Sequence, residues 1–259
     1  MAGVLYDPAM NTDETARDLE QVWEREAANW VRWARTPGHD VFAYFAPVFF
    51  DEILPASRGL TLEIGCGEGR IVREMAARGH RVVGLDASAS LVRAARAEDP
   101  ASAYVCGDGT RLPFVDGAFD AVIAYNALQT MSASGDMARA VREAGRVVRA
   151  GGALCICVAH PLTDIALVNR GAGGEIAIGG SYFERQRVDD TVRKDGLTMR
   201  FSGWTYTLED YAQALADAGF VIERVREPRP RQDIEPRHDL ARWERIPLFL
   251  MLRAVKREA

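Results

Sequence analysis

The sequence predicts an α/β fold built on a doubly wound, mostly parallel sheet, and three observations carry that prediction. Short apolar runs alternate with helix-period segments from residue 60 to residue 160, the rhythm of strand–helix–strand crossovers. The first run, Leu60-Thr61-Leu62-Glu63-Ile64, feeds a loop with glycine at 65, 67 and 69, and a helical pattern starts at Arg70. The second run, from Arg81 to Leu85, ends in an acid, Asp86. In open parallel sheets ligands bind just outside the carboxyl ends of the strands, so both junctions are candidate sites.

The elements follow in order. Residues 13–35 place Leu19, Val22, Trp23, Ala27, Trp30, Val31 and Ala34 near helical spacing, with Trp30 and Trp33 sharing a face; Thr36-Pro37-Gly38 breaks the helix. Residues 40–54 form a second segment rich in phenylalanine and closed by Pro55. These helices read either as a cover for the sheet or as a lid. Helices are expected over 70–78, over 89–97 with Ser88 as N-cap, and over 136–148 with Asp136 as cap. Strands are expected over 60–64, 81–86, 103–106, 118–125 and, after Gly151-Gly152, 153–159. Residues 161–206 interrupt the rhythm. Five glycines fall between 171 and 180, suggesting a loop, and 192–201 reads as a hairpin around Asp195-Gly196. Tyr182, Phe183, Trp204 and Tyr206 share this segment with Arg185, Arg187, Arg193 and Arg200, which suits an acceptor-binding lid or a structural hairpin. Thr207 to Asp210 opens a last helix with a capping box, Gly219 stops it, and strands follow over 220–225 and 248–255. The chain thus divides at 1–57, 58–160, 161–206 and 207–259.

The glycine loop is G-x-G-x-G with an acid, Glu63, two residues before its first glycine. Together with Asp86 after the second strand, Gly107-Asp108-Gly109 after the third and Tyr125-Asn126 after the fourth, it resembles motif I and its companions in class I S-adenosylmethionine (SAM)-dependent methyltransferases. The resemblance covers residues 60–160. It implies a Rossmann-like, seven-stranded sheet whose last strand runs antiparallel between the fifth and sixth. It also implies SAM as cofactor and S-adenosylhomocysteine as product. Glu63, Gly65, Cys66 and Gly67 would contact SAM from the first loop, and Asp86 with Ala87 would hold the ribose diol. Asp108 with Gly109 would meet the adenine amino group, and Tyr125 with Asn126 would lie beside the methionine part and the acceptor. A nicotinamide-dependent oxidoreductase is disfavoured, because the spacing is not G-x-G-x-x-G. A SAM-fold protein with a changed or lost reaction is the alternative.

Composition narrows the setting. No run approaches the ~20 apolar residues of a membrane span, and residues 1–18 carry acids without an apolar signal core. A cytoplasmic protein, monomer or homodimer, is expected. The formal charge of −5 and the absence of a basic run argue against a nucleic-acid partner and for a small organic acceptor; the arginines of 185–200 are compatible with an anionic one. Cys66, Cys106, Cys155 and Cys157 read as free thiols in or beside strands, and the four histidines are scattered, so no metal site is expected. Methyl transfer from a sulfonium needs alignment above all, and a general base only where the acceptor must lose a proton. His160, just past the fifth strand, is the first candidate base, with Tyr125 and Tyr182 behind it.

Overall fold

The computed structural model describes residues 14–56, 59–163, 168–170, 176–178, 180–234 and 240–258. Helix α1 (Glu14–Arg35) and the short α2 (Phe42–Val48), which runs into a π-helical turn at Phe49–Ile53, precede the sheet. Then β1 (Leu60–Ile64), α3 (Arg70–Ala77), β2 (Arg81–Asp86), α4 (Ala89–Glu98), β3 (Ala103–Cys106), β4 (Phe119–Tyr125), α5 (Asp136–Val147) and β5 (Val148–Ala159) follow. Two small hairpins come next, β6 (Val168–Arg170) with β7 (Ile176–Ile178), and β8 (Arg187–Lys194) with β9 (Leu197–Trp204). Helix α6 (Leu208–Asp217), β10 (Phe220–Arg226) and β11 (Phe249–Lys256) complete the order.

Seven strands form one sheet in the order β10-β11-β5-β4-β1-β2-β3. The pairs among β1 to β5 are parallel, while β11 runs antiparallel to both β5 and β10. The inner strands β1, β4, β5 and β11 are buried on both faces over most of their length, as central strands of such a sheet require, while the edge strand β10 is largely exposed. Val122, Ala124, Leu154, Ile156 and Val158 point into one layer with Met137, Val141 and Leu215 from α5 and α6. The alternate residues Ile123, Tyr125, Cys155, Cys157 and Met251 point into the other layer with Phe45, Phe49, Val72 and Met75. The two thiols of Cys155 and Cys157 therefore share a face, as small apolar groups under α2. All four cysteines are free, and no metal-binding cluster occurs among the described residues.

The structure departs from the expected elements at four places. The Gly-rich stretch is not simply a loop, since Val168–Arg170 pairs with Ile176–Ile178; residues 171–175 and 179 lie outside the described residues, as do 1–13 and His238. The hairpin extends well beyond 192–201, from Arg187 to Trp204, around a two-residue turn in which Asp195 (φ 50°) and Gly196 (φ 77°) are both left-handed. Strand β5 starts at Val148 rather than after the glycine pair, because Val148 already pairs with Phe119. The cap of α5 is Gly135, and Asp136 is the first helical residue, its Oδ2 accepting a hydrogen bond from Ala133 N–H at 2.7 Å.

The N-terminal helices do different jobs. Helix α2 and its π-turn cover the sheet, with Phe45 fully buried and its ring 5.2 Å from that of Phe249. Helix α1 instead lies against α4 and β9. Removing the Phe45 ring is expected to cost about 3–5 kcal/mol of folding stability. Chemical denaturation of Phe45→Ala checks this, and a loss below about 1 kcal/mol would show that α2 is not part of the same cooperative core.

Candidate functional site

The site is built at the carboxyl ends of β1, β2, β3 and β4. Gly65 and Cys66 both donate N–H hydrogen bonds to the Leu85 carbonyl, at 2.7 and 3.0 Å, which ties the glycine loop to the end of β2. Gly65 adopts φ +72°, and a Cβ there would come within 2.5 Å of the Ala127 Cβ, so the loop after β4 lies directly against it. Gly67 N–H donates to Asp86 Oδ2 at 2.8 Å, and Ser88 N–H donates to Asp86 Oδ1 at 2.9 Å. Ala87 is exposed beside them, its carbonyl accepting from the Cys106 thiol. Asp108 is exposed and closes on Thr110, accepting from its N–H at 2.7 Å and its hydroxyl at 2.8 Å. Gly109 is buried against Ile64 and Met131. Asn126 holds φ +54°, a conformation few non-glycine residues adopt, with its N–H on the Cys157 carbonyl at 2.7 Å.

Acids dominate the electrostatics. Glu63 is fully buried, and its Oε2 has no hydrogen-bond partner. Burial pushes its carboxyl well above the usual range; the charges of Asp86 and Glu68 add to this, and Arg70 opposes it. Burial also raises the Asp86 carboxyl, against the pull of the Ser88 and Gly67 N–H groups. Cys66 is pushed up by burial and then by the same acids, so it is a neutral thiol. Glu68 is equally buried but compensated: Arg35 Nε reaches it at 2.7 Å and Arg73 at 2.8 Å.

Arg35 ends α1, so this triad fastens the N-terminal helix to the glycine loop. A second latch joins Glu24 to the start of α4, where its carboxylate accepts from the Ser88 and Ser90 hydroxyls, both at 2.5 Å. Between the latches Trp30 comes down on the loop: a Cβ on Gly67 would meet its Nε1 at 3.0 Å. Arg70, the first residue of α3, pairs with Asp40 at 2.6 Å and lies 4.0 Å from the Phe42 ring centroid.

The β8–β9 hairpin forms the opposite wall. Phe201 sets its ring edge-on to Trp30 and Trp33, at 6.4 and 5.8 Å between centroids. A Cβ at Gly203 would lie 2.3 Å from the Gln129 carbonyl, so β9 rests directly on the turn after β4. Trp204 Nε1 donates to the Ser132 carbonyl, and the hydroxyl of Tyr206 donates to the Ser134 carbonyl. Two of the four arginines of this segment are engaged by acids, Arg185 with Asp210 and Arg200 with Asp189, while the buried Nε of Arg187 has no hydrogen-bond partner. That removes part of the support for an anionic acceptor. A cleft of about 310 Å³ opens at the hairpin tip, lined by His39, Lys194 and Asp195, at the opposite end of the hairpin from Gly203.

The three candidate bases are engaged elsewhere, which corrects the expectation placed on them. Leu162 N–H donates to His160 Nδ1 at 3.1 Å, so the ring proton sits on Nε2, and Nε2 meets Glu227 Oε1 at 2.8 Å. Neither nitrogen has a lone pair left for an acceptor, and burial lowers the proton affinity of the ring, against the pull of Glu227. Tyr125 turns into the α2 layer, 5.0 Å from Phe49 and 5.8 Å from Phe42 between ring centroids, and burial raises its phenol far above the ordinary value. The Tyr182 hydroxyl accepts from Leu208 N–H at 2.9 Å, at the start of α6. Conversely, Glu68, Arg35, Arg70 and Trp30 emerge as site-building residues that local pattern did not reveal. The arginine directly after the glycine loop was the one available signal.

Known proteins share this architecture. Residues 62–156 match the methyltransferase domain family. A crystal structure of a SAM-dependent methyltransferase from Mesorhizobium loti superposes with a TM-score of 0.65 at 26% identity, covering 81% of this chain and 96% of that one. A Mycobacterium tuberculosis (strain H37Rv) protein named an uncharacterized methyltransferase is 32% identical over 110 residues, 42% of this chain; the chain spans 44% of that relative's length. A demethylmenaquinone methyltransferase of Roseiflexus sp. (strain RS-1) is 36% identical over 186 residues, which are 64% of this chain and 77% of that protein. Identity at that level across most of a relative, on a sheet with the same strand order as the family's, places this chain among the class I SAM-dependent methyltransferases.

Proposed function

We propose that the chain transfers a methyl group from SAM to a small organic acceptor and releases S-adenosylhomocysteine. Glu63 carries this reading. A buried carboxylate with an unpartnered oxygen, beside the half-buried acid Asp86, is costly unless a cation comes to it. The ammonium of the methionine part of SAM suits it in charge and in donor number. Asp86 keeps acceptor capacity on both oxygens, since each accepts a single N–H, and with Ala87 it fits the ribose diol. Asp108 and Gly109 fit the adenine edge; Gly65, Cys66 and Gly67 supply backbone to the methionine end, with Asn126 across from them. On this reading residues 58–160 are the cofactor-binding core, 1–57 and 161–206 provide its two walls, and 207–259 complete the sheet. The residues therefore fit the cofactor.

When bound, SAM supplies an electrophilic methyl group on a sulfonium. The chain's own work is alignment and exclusion of water, worth up to ~7–11 kcal/mol. Trp30 and Phe201 close the sides, while Gly65 and Gly203 let backbone approach where no side chain would fit. With His160, Tyr125 and Tyr182 engaged, the described residues offer no evident base for ionising a hydroxyl. That favours acceptors needing none, such as an uncharged amine or a carboxylate. The acidic composition and the small-molecule acceptor in the name of the Roseiflexus relative support a metabolite rather than a macromolecule.

Four measurements test the reading. Incubated with SAM and fractionated metabolite extract, the protein should release S-adenosylhomocysteine only when an acceptor fraction is present. Binding of NAD but not SAM in calorimetry would overturn the proposal. Asp86→Ala should weaken SAM binding by about 2 kcal/mol, the scale of hydrogen bonds to a charged group; equal affinity in a folded variant removes Asp86 from the ribose site. Glu63 gives a pH signature. Its folded-state proton affinity is raised, so its contribution to stability is full below about pH 4.5 and declines as pH rises through the higher folded value. Glu63→Gln should therefore be more stable than the parent at pH 8 without cofactor, yet bind SAM about tenfold more weakly. Thermal melts and calorimetry check both, and a variant less stable than the parent at pH 8 contradicts the burial argument.

A further inference from the structure

Cross-strand partners in a hairpin present their side chains on the same face. In β8–β9 the pairs Val192–Met199, Asp190–Phe201 and Val188–Gly203 share one face. Phe201 meets Trp30 and Trp33, so this is the face turned to α1. Two polar side chains interrupt its apolar surface: Lys194 at the hairpin tip, whose Nζ donates to the His39 carbonyl, and Asp190, next to Phe201. Asp190 is half-buried and takes part in no hydrogen bond or ion pair among the described residues, whereas its neighbour Asp189, on the opposite face, is bound to Arg200 and Ser202. Trp30, Phe201, Val188 and Asp190 are all half-buried, so each keeps some exposed surface at the seam where α1 packs on β9. This seam adjoins the glycine loop, through Trp30 on Gly67, and the turn after β4, through Gly203 on Gln129.

We infer that this seam beside the glycine loop receives the methyl acceptor through a positively charged group, with Asp190 as its carboxylate partner and Trp30 and Phe201 as its aromatic neighbours. The inference rests on the methyltransferase reading and deepens it by naming the acceptor class: a protonated amine on an apolar or aromatic body. A carboxylate next to aromatic rings attracts a cation twice, through its charge and through the ring quadrupoles. The same arrangement repels carboxylates and phosphates. It agrees with the engagement of Arg185 and Arg200 by acids, and it balances: the ammonium passes a proton to the Asp190 carboxylate, the freed nitrogen lone pair takes the methyl group, and the sulfonium leaves as the neutral thioether.

The test uses three probes with one indole ring and different tails: tryptamine (ammonium), tryptophol (hydroxyl) and indole-3-propionate (carboxylate). Binding to the full chain is measured by calorimetry with S-adenosylhomocysteine saturating. Tryptamine is expected to bind at least about tenfold more tightly than either other probe, the scale of a charge-assisted contact. Asp190→Asn should erase that preference without changing S-adenosylhomocysteine affinity, and Phe201→Leu should weaken all three probes together. Raising the salt from about 50 to about 500 mM should shrink the preference in the parent protein, a second measure that requires no variant. Equal binding of the three tails, preference for the carboxylate, no binding of tryptamine, or a preference that survives Asp190→Asn overturns the inference. Failure of S-adenosylhomocysteine itself to bind overturns the underlying methyltransferase reading instead, so the two failures are distinguishable.

Discussion

Much of the site's architecture depends on one buried carboxylate, that of Glu68. It lies inside the glycine loop with two guanidinium groups on it, one from α3 and one from the end of α1. A carboxylate removed from water this completely persists only with partners of that kind, and losing one would leave a buried charge uncompensated. The contact holds α1 against the core, and Glu24 on the Ser88 and Ser90 hydroxyls fixes the helix at a second point. Only with α1 held there can Trp30 meet Gly67 and Phe201 find rings to pack on. The hairpin wall is thus secured through a helix that precedes the sheet by sequence and leans on its cofactor end.

Beside this compensated acid stand two that are less well served. Glu63 and Asp86 are both pushed above their ordinary proton affinities, chiefly by burial. A protein selected only to be stable would not keep an unpartnered carboxylate oxygen in its core. Local rules broken in this way mark functional sites. On the proposed reading a cationic cofactor would offset this cost on binding. The left-handed Asn126 belongs to the same class of feature, a constrained backbone at the rim of the same site.

The sheet and the loops at its carboxyl ends were legible in the sequence because their signals are local. Alternating runs, Gly65-x-Gly67-x-Gly69 and an acid at the end of β2 need no knowledge of distant residues. Asp195-Gly196 likewise announced its turn, but the start of β8 was hidden, because Arg187-Val188-Asp189-Asp190 dilutes the alternation with charge. The walls were less legible. Arg35 meets Glu68 across 33 positions and His160 meets Glu227 across 67, and nothing in either neighbourhood predicts the partner. His160 shows the cost of reading position without partners: it stands at the right strand end, and both its nitrogens are already engaged. Asp136 failed as a cap for a smaller reason, a one-residue shift that gave the capping position to Gly135.

Strand β11 has a consequence for how the chain must be made. The last strand in sequence occupies an interior place in the sheet, between β5 and β10. A ribosome delivers β1 to β5 early, yet the edge of β5 from Ala153 to Ala159 has no partner until Phe249–Val255 has emerged. During that interval a row of unpaired backbone groups flanked by Leu154, Ile156 and Val158 faces solvent, the kind of edge that recruits other chains. Synthesis that stalls before β11 therefore leaves an adhesive intermediate rather than a smaller working domain.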